Sequence, residues 1–183
     1  SCGPGSGKSS QCEQLAKKYG FTHLSTAGLL QNELSSLSER SKFIKDIMEC
    51  GEPVPGGIVL ELLREAMITN LGDTKGFLID GYPRELKEAE EFESKIGEPK
   101  LVICLDCSAE TMNSRFSMRN QTSQHFDSAE TIKEGIEGYC QAFTITFKDY
   151  FNLKSRSYIY TTDSVYPEIK QTCTQEIPFS WNK

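Results

Sequence analysis

The residues with the most chemical potential stand at the start of the chain, where Gly3, Pro4, Gly5, Ser6, Gly7 and Lys8 run into Ser9 and Ser10. Glycines lack a Cβ, so consecutive backbone N–H groups can turn inward and wrap an anion. A helix starting directly behind them adds its orphan N-terminal donors and the positive end of its dipole. Lys8 supplies a point charge for terminal phosphates, and the hydroxyls of Ser9 and Ser10 have the chemistry to meet Mg²⁺ or its waters. The stretch reads as a phosphate cradle whose members are Gly3, Gly5, Ser6, Gly7, Lys8, Ser9 and Ser10, although the strict pattern asks for glycine where Cys2 stands. The competing reading is an ordinary glycine-rich turn. The Gly-Lys-Ser ending and the apolar spacing of Cys12, Leu15, Ala16 and Tyr19 behind it argue against that.

Phosphoryl transfer needs two more things, a metal-holding carboxylate and cations around the transferring group. Asp80 ends the apolar run Phe77-Leu78-Ile79 and is the natural carboxylate, with a helix-capping or turn aspartate as the plain alternative. Arg84, Arg115 and Arg119 are the candidate cations. Arg115 and Arg119 lie one helical turn apart and so face the same way, as any solvated pair on a helix also would. Cys104 and Cys107 form a C-x-x-C, but no second pair has ligand spacing and the only histidines are His23 and His125, so Cys104 is assigned to the core of a strand.

These groups need elements to position them. The periodicity predicts a first helix after the loop, a short strand Phe21–Ser25, a helix from Thr26, and another carrying Leu37, Ile44, Ile47 and Met48. Glu52-Pro53-Val54-Pro55-Gly56-Gly57 breaks the helical pattern, and a strong amphipathic helix with Val59, Leu62, Leu63, Ala66 and Met67 follows. Strand Phe77–Asp80 is closed by Gly81-Tyr82-Pro83-Arg84. A very acidic helix comes next, with Leu86, Ala89, Phe92 and Ile96 beneath and Glu85, Glu88, Glu90, Glu91 and Glu93 read as a solvated face. Further along come a buried strand Leu101–Asp106, a helix Ser108–Arg119, a polar stretch, a long helix through Tyr150, a strand Ser157–Thr161 and a last helix Glu168–Thr174. Strands alternating with helices imply an α/β fold with a parallel sheet covered on both faces. Ligands in such folds bind beyond the carboxyl ends of the strands, which gathers the phosphate loop, Ser25-Thr26, Asp80-Gly81 and Asp106 along one edge. A phosphate loop ordinarily hangs from a buried strand; nothing precedes it here, so the chain reads as a fragment lacking its first strand.

Length and charge narrow the classes. A chain of 183 residues suits one domain, and a net charge of -6 argues against nucleic acid or an acidic membrane as the main partner. There is no apolar run long enough to span a bilayer and no signal-peptide pattern. Seven cysteines, an odd number without a framework, point to reduced thiols and a cytoplasmic setting.

On Gly3-Pro4-Gly5-Ser6-Gly7-Lys8, His23-Leu24-Ser25-Thr26, Gly76-Phe77-Leu78-Ile79-Asp80-Gly81-Tyr82-Pro83-Arg84 and Arg115-x-x-x-Arg119, the chain resembles the adenylate kinase family. The run from Tyr19 to Phe116 looks most like the C-terminal kinase domain of a two-domain member, and the resemblance weakens after Arg119. It implies a three-layer P-loop NTPase fold, one adenylate kinase-like domain over 1–183 with a monophosphate-binding helical insert at 26–55 and a short lid at 119–130. It also implies transfer between ATP and AMP giving two ADP, Mg²⁺ as cofactor, and a monomer or one domain of a longer chain. By matching position, Gly5 to Ser10 would hold the ATP phosphates, with Arg115 and Arg119 clamping them and waters on Asp80 joining Ser9 and Ser10 at the metal. Thr26, Gln31, Glu52, Pro53, Val54, Gly81, Tyr82, Pro83, Arg84 and Glu88 would form the AMP side, with Arg84 on the phosphate. The departures are Gln31 for a phosphate-binding arginine, Glu88 for an adenine-reading glutamine, His125 and Gly135 for lid-side arginines, and Asp163 for a glycine near the ATP base. A carboxylate at position 88 accepts two hydrogen bonds and donates none, so GMP would be less disfavoured here than in the family if it read the base, or it would sit in solvent if it did not. Two rival readings stand beside the kinase: a degenerate, non-catalytic nucleotide-binding or interaction domain, and a monophosphate kinase of altered base choice. The lack of an Asn-Lys-x-Asp base-reading motif argues against a GTP switch.

Overall fold

The computed structural model describes residues 5–122 and 157–161. They fall into two compact units, one made of Ser1–Gln11 with Glu98–Lys183 and the other of Cys12–Gly97. The helices are α1 (Lys8–Tyr19), α2 (Thr26–Leu34), α3 (Glu39–Glu49), α4 (Gly56–Asn70), α5 (Leu86–Lys95) and α6 (Ala109–Thr122). The strands are β1 (Thr22–Ser25), β2 (Phe77–Asp80), β3 (Val102–Asp106) and β4 (Ser157–Thr161). Alternating strands and helices with parallel pairing confirm the α/β class expected from the sequence.

In the Cys12–Gly97 unit, β1 and β2 pair in parallel with Ser25 opposite Asp80. The residues that begin α2 and the Gly81 turn therefore leave the sheet at the same, carboxyl end. Leu24, Ile44, Val54, Val59, Leu60, Leu63 and Tyr82 form the buried core, with Leu29, Leu30, Phe77, Ile79 and Phe92 packed against it. This is the apolar stripe that the spacing of α4 and the run of β2 predict.

Three local expectations need correction. Leu37 is not on a helix: it precedes α3 with φ 57° and is 89% exposed. The helix begins later because Ser38 caps it, accepting a hydrogen bond from Ser41 N at 2.9 Å. Met48 lies on the exposed side of the same helix, while Ile44 is fully buried. The break expected over 52–57 is present between α3 and α4 but ends earlier, because Gly56 and Gly57 open α4 directly behind Pro55.

In the other unit, β3 and β4 pair in parallel from Val102 opposite Ser157 to Asp106 opposite Thr161. Cys104 and Met112 are fully buried, as the core assignment of Cys104 requires, and neither Cys104 nor Cys107 is in a disulfide. The expected helix after the polar stretch, the last helix, most of the lid at 119–130, and Gly3, His125, Gly135 and Asp163 lie outside the described residues. Among the described residues, no helix is long and apolar enough to cross a membrane.

Candidate functional site

The loop Gly5–Gly7 turns as its glycines allow, with φ of 75° at Gly5 and 90° at Gly7, and α1 starts at Lys8 directly behind it. A Cβ on Gly5 would stand 3.1 Å from the carbonyl oxygen of Met112, so glycine is needed here both for its φ and for the close approach of α6. The Arg115 guanidinium donates to the Gly5 carbonyl across a long 3.4 Å. Arg115 thus stands beside the loop; the Arg119 side chain lies outside what the structure describes. Ser6 is buried, and its Oγ has no hydrogen-bond partner. A buried hydroxyl without a partner is costly, and a phosphate oxygen or a bound water would satisfy it. Ser9 and Ser10 are exposed at the first turn of α1. The segment from Gly5 to Ser10 contains no carboxylate.

The second cluster lies wholly in the Cys12–Gly97 unit, around the turn that follows β2. Gly81 takes φ 87°, and a Cβ there would collide with the Thr26 hydroxyl, so Thr26 and the turn are in contact. The Tyr82–Pro83 bond is cis. Tyr82 is buried, donates its hydroxyl to the Glu88 carbonyl at 3.2 Å, and has its own pKa pushed up to about 12 mainly by that burial. Arg84 follows, with its side chain 43% exposed.

Arg84 already has an anion. Its Nη2 donates to Glu88 Oε1 at 2.6 Å, its Nε to the same oxygen at 3.1 Å, and its backbone N–H to Oε2 at 2.6 Å. A further bond from Nη2 reaches the Val54 carbonyl at 3.0 Å. Glu88 is only 5% exposed, so neither the solvated-face nor the solvent-swung reading of it holds. The helix faces explain the error: Glu88 precedes Ala89 on the side of α5 that meets α4, and Gly56 gives it room, because a Cβ at Gly56 would lie 2.9 Å from Glu88 Cδ. The structure thus brings Thr26, Val54, Gly81, Tyr82, Arg84 and Glu88 together. Gln31, Glu52 and Pro53 stand on exposed positions of the same unit.

A third arginine behaves differently. Arg40 on α3 bonds Glu33 Oε2 at 2.9 Å and both oxygens of Glu65 at 2.8 and 2.9 Å, tying α2, α3 and α4 together. The Arg40 guanidinium and then the Ser38 hydroxyl hold the Glu33 carboxyl down to about 2, and Arg40 lowers Glu65 as well.

Asp80, the candidate metal-side carboxylate, is 6% exposed at the end of β2. His23 of the neighbouring strand approaches it, with Nε2 at 3.5 Å from Asp80 Oδ2, and Cys12 of α1 joins them. The Asp80 carboxylate offers the hard oxygen donors that Mg²⁺ prefers. Sequence reasoning passed over Cys12 and His23 as site residues. Their separation along the chain carries no ligand spacing, and only the β1–β2 pairing brings His23 beside Asp80.

The family model described as Adenylate kinase matches residues 1–156. The chain is 59% identical over 155 residues to adenylate kinase isoenzyme 5 of Mus musculus, covering 84% of this chain and 27% of that protein. It is 53% identical over 174 residues to adenylate kinase isoenzyme 5 of Homo sapiens, covering 94% and 31%. It is 46% identical over 175 residues to adenylate kinase isoenzyme 1 of Rattus norvegicus, covering 94% and 89%. The chain therefore spans about a third of the isoenzyme 5 proteins it matches and most of the isoenzyme 1 protein.

Proposed function

The chain belongs to the adenylate kinase family, and from that premise we propose that it is a nucleoside monophosphate kinase that transfers the terminal phosphoryl group of ATP to AMP, reversibly, giving two ADP. The observation that carries this reading is the phosphate loop. Left-handed Gly5 and Gly7 run into the N-terminus of α1, with an unpartnered buried hydroxyl at Ser6 and Arg115 alongside.

In this reading Gly3, Gly5, Ser6, Gly7, Lys8, Ser9 and Ser10 bind the ATP phosphates, with Arg115 and Arg119 adding positive charge. Thr26, Val54 and Gly81 to Arg84 bind AMP within an insert at 26–55 and the turn after β2, with Gln31, Glu52, Pro53 and Glu88 at its border. Ser9, Ser10 and waters on Asp80 would hold Mg²⁺, which supplies charge neutralisation on the phosphates. An AMP phosphate oxygen attacks the terminal phosphorus in line as the bond to the leaving ADP oxygen breaks. The protein contributes positioning and charge rather than a covalent intermediate. Arg84 reaches the AMP phosphate by exchanging Glu88 for it, one anion for another. The reduced thiols fit work in the cytoplasm.

The test is ADP formation from ATP and AMP with Mg²⁺. Turnover by the parent that Lys8→Ala removes supports the kinase. Magnesium-ATP binding without turnover instead supports a non-catalytic nucleotide-binding domain, the second reading, which the Arg84–Glu88 pairing favours.

A further inference from the structure

Cys12, His23 and Asp80 each offer one ligand atom, and those three atoms all lie within 4.8 Å of one another. They come from α1, β1 and β2, and all three residues lie in the Cys12–Gly97 unit. His23 Nε2 is buried without a hydrogen-bond partner, its separation of 3.5 Å from Asp80 Oδ2 being the nearest acidic contact. A buried imidazole nitrogen aimed at a carboxylate beside a thiol is the chemistry of a metal ligand set. From this geometry we infer that Cys12, His23 and Asp80 form a binding site for a thiophilic divalent cation of the Zn²⁺ class.

The distances fit with little movement. Tetrahedral zinc with sulfur at about 2.3 Å and nitrogen or oxygen at about 2.0 Å sets its ligand atoms about 3.3–3.6 Å apart. The His23–Asp80 edge already has that length, and the edges to Cys12 need a contraction of at most about 1.5 Å. That is a side-chain adjustment for Cys12, which is half-buried. Three protein ligands leave a fourth position for water. Mg²⁺ does not compete here, because it demands oxygen donors in an octahedron and has no use for a thiolate or an imidazole.

The consequence rests on the proposed kinase reading. A zinc ion would draw the Asp80 carboxylate away from the magnesium waters, so occupancy of this site inhibits transfer. Its binding chemistry stands independently of that reading, and the two are tested separately.

Metal-stripped protein is titrated with Co²⁺, an optical stand-in for Zn²⁺. One equivalent should produce a thiolate-to-cobalt charge-transfer band with the strong d–d absorption of a tetrahedral ion, and Zn²⁺ should bleach it where excess Mg²⁺ does not. Cys12→Ser should abolish the charge-transfer band. His23→Gln should weaken cobalt binding by at least about tenfold, since losing even an outer-shell partner of a ligand costs that much. Cys50→Ser, at an exposed thiol away from the cluster, should change neither. Far-ultraviolet circular dichroism identifies any variant that does not fold, and the other variant then decides. A band that persists in the folded variants, that Cys50→Ser removes, or that never forms in the parent overturns the site. In the activity arm, micromolar Zn²⁺ should inhibit the parent and spare Cys12→Ser. If the parent has no turnover but shows the band, the kinase reading fails and the metal site stands.

Discussion

Two regions of this molecule handle negative charge, and they do it in opposite ways. The loop at Gly5–Ser10 is built from backbone amides, glycine φ values and a helix N-terminus, and its own segment contributes no anion. The turn after β2 is built around a guanidinium, and the chain supplies the anion itself: Glu88 holds Arg84 by side chain and backbone at 2.6 Å. Backbone donors on a rigid turn stay aimed whatever the side chains do, whereas an arginine takes the nearest carboxylate with room to reach it. A substrate arriving at the loop meets the Ser6 hydroxyl, which has no hydrogen-bond partner. One arriving at Arg84 must replace an interaction, and only the difference appears as affinity.

The largest effect expected from this comparison is at the loop. Lys8→Ala should lower turnover by about a hundredfold or more, the scale for removing one charged contact from a developing anion. It should also weaken magnesium-ATP binding in a calorimetric titration. Unchanged ATP affinity would remove the loop from the nucleotide site.

Next comes Gly81→Ala, which tests the frame of the second region. It forces a side chain into φ 87° and against Thr26 at once, so a loss of about 2–3 kcal/mol in urea unfolding is expected. A neutral substitution would mean that Thr26 gives way and that the turn is not fixed by this contact.

Glu88→Gln sharpens the contrast most directly. Removing the charge that holds Arg84 should raise kcat/KM for AMP by about tenfold, equivalent to about 1.4 kcal/mol, while lowering stability by about 1–2 kcal/mol through the lost charge-assisted bonds. Opposite signs on activity and stability are the signature of an internal anion competing with substrate. A fall in both would make Glu88 a support for the site, and a change in the AMP-to-GMP ratio would return it to reading the base.

The smallest effect is expected at Arg40, whose two carboxylates are structural. Arg40→Gln should cost about 1 kcal/mol at pH 7, since the cluster is partly exposed. Glu33 is held near 2 against an ordinary 4.5, so its contribution is complete above about pH 4.5 and fades as pH falls toward 2. Urea midpoints of parent and variant should therefore differ at neutral pH and converge in acid, with AMP kinetics unmoved at neutral pH. Divergence in acid would contradict the pairing.

Much was legible in the residues alone, and where it was, the cause is local. Gly5, Gly7 and Lys8 announce a phosphate loop because backbone conformation and charge at consecutive positions make the cradle. Phe77–Ile79 and Val102–Cys104 announce strands by their unbroken apolarity, and α4 by its 3.6-residue stripe. The family followed from such contiguous motifs. The tertiary structure decided what depends on a neighbour brought in from elsewhere. Glu88 belongs to an acidic run that composition places in solvent, yet Gly56 opens a space in α4 and Arg84 waits beside it, so that one carboxylate is buried while Glu90 remains exposed. Cys12, His23 and Asp80 are an unremarked thiol, an imidazole in a strand and a strand-end carboxylate until parallel pairing of β1 with β2 and the packing of α1 bring their ligand atoms together. Local conformation is written in adjacent residues, but partnership across the fold depends on register and on the space left by small side chains, which no single segment encodes.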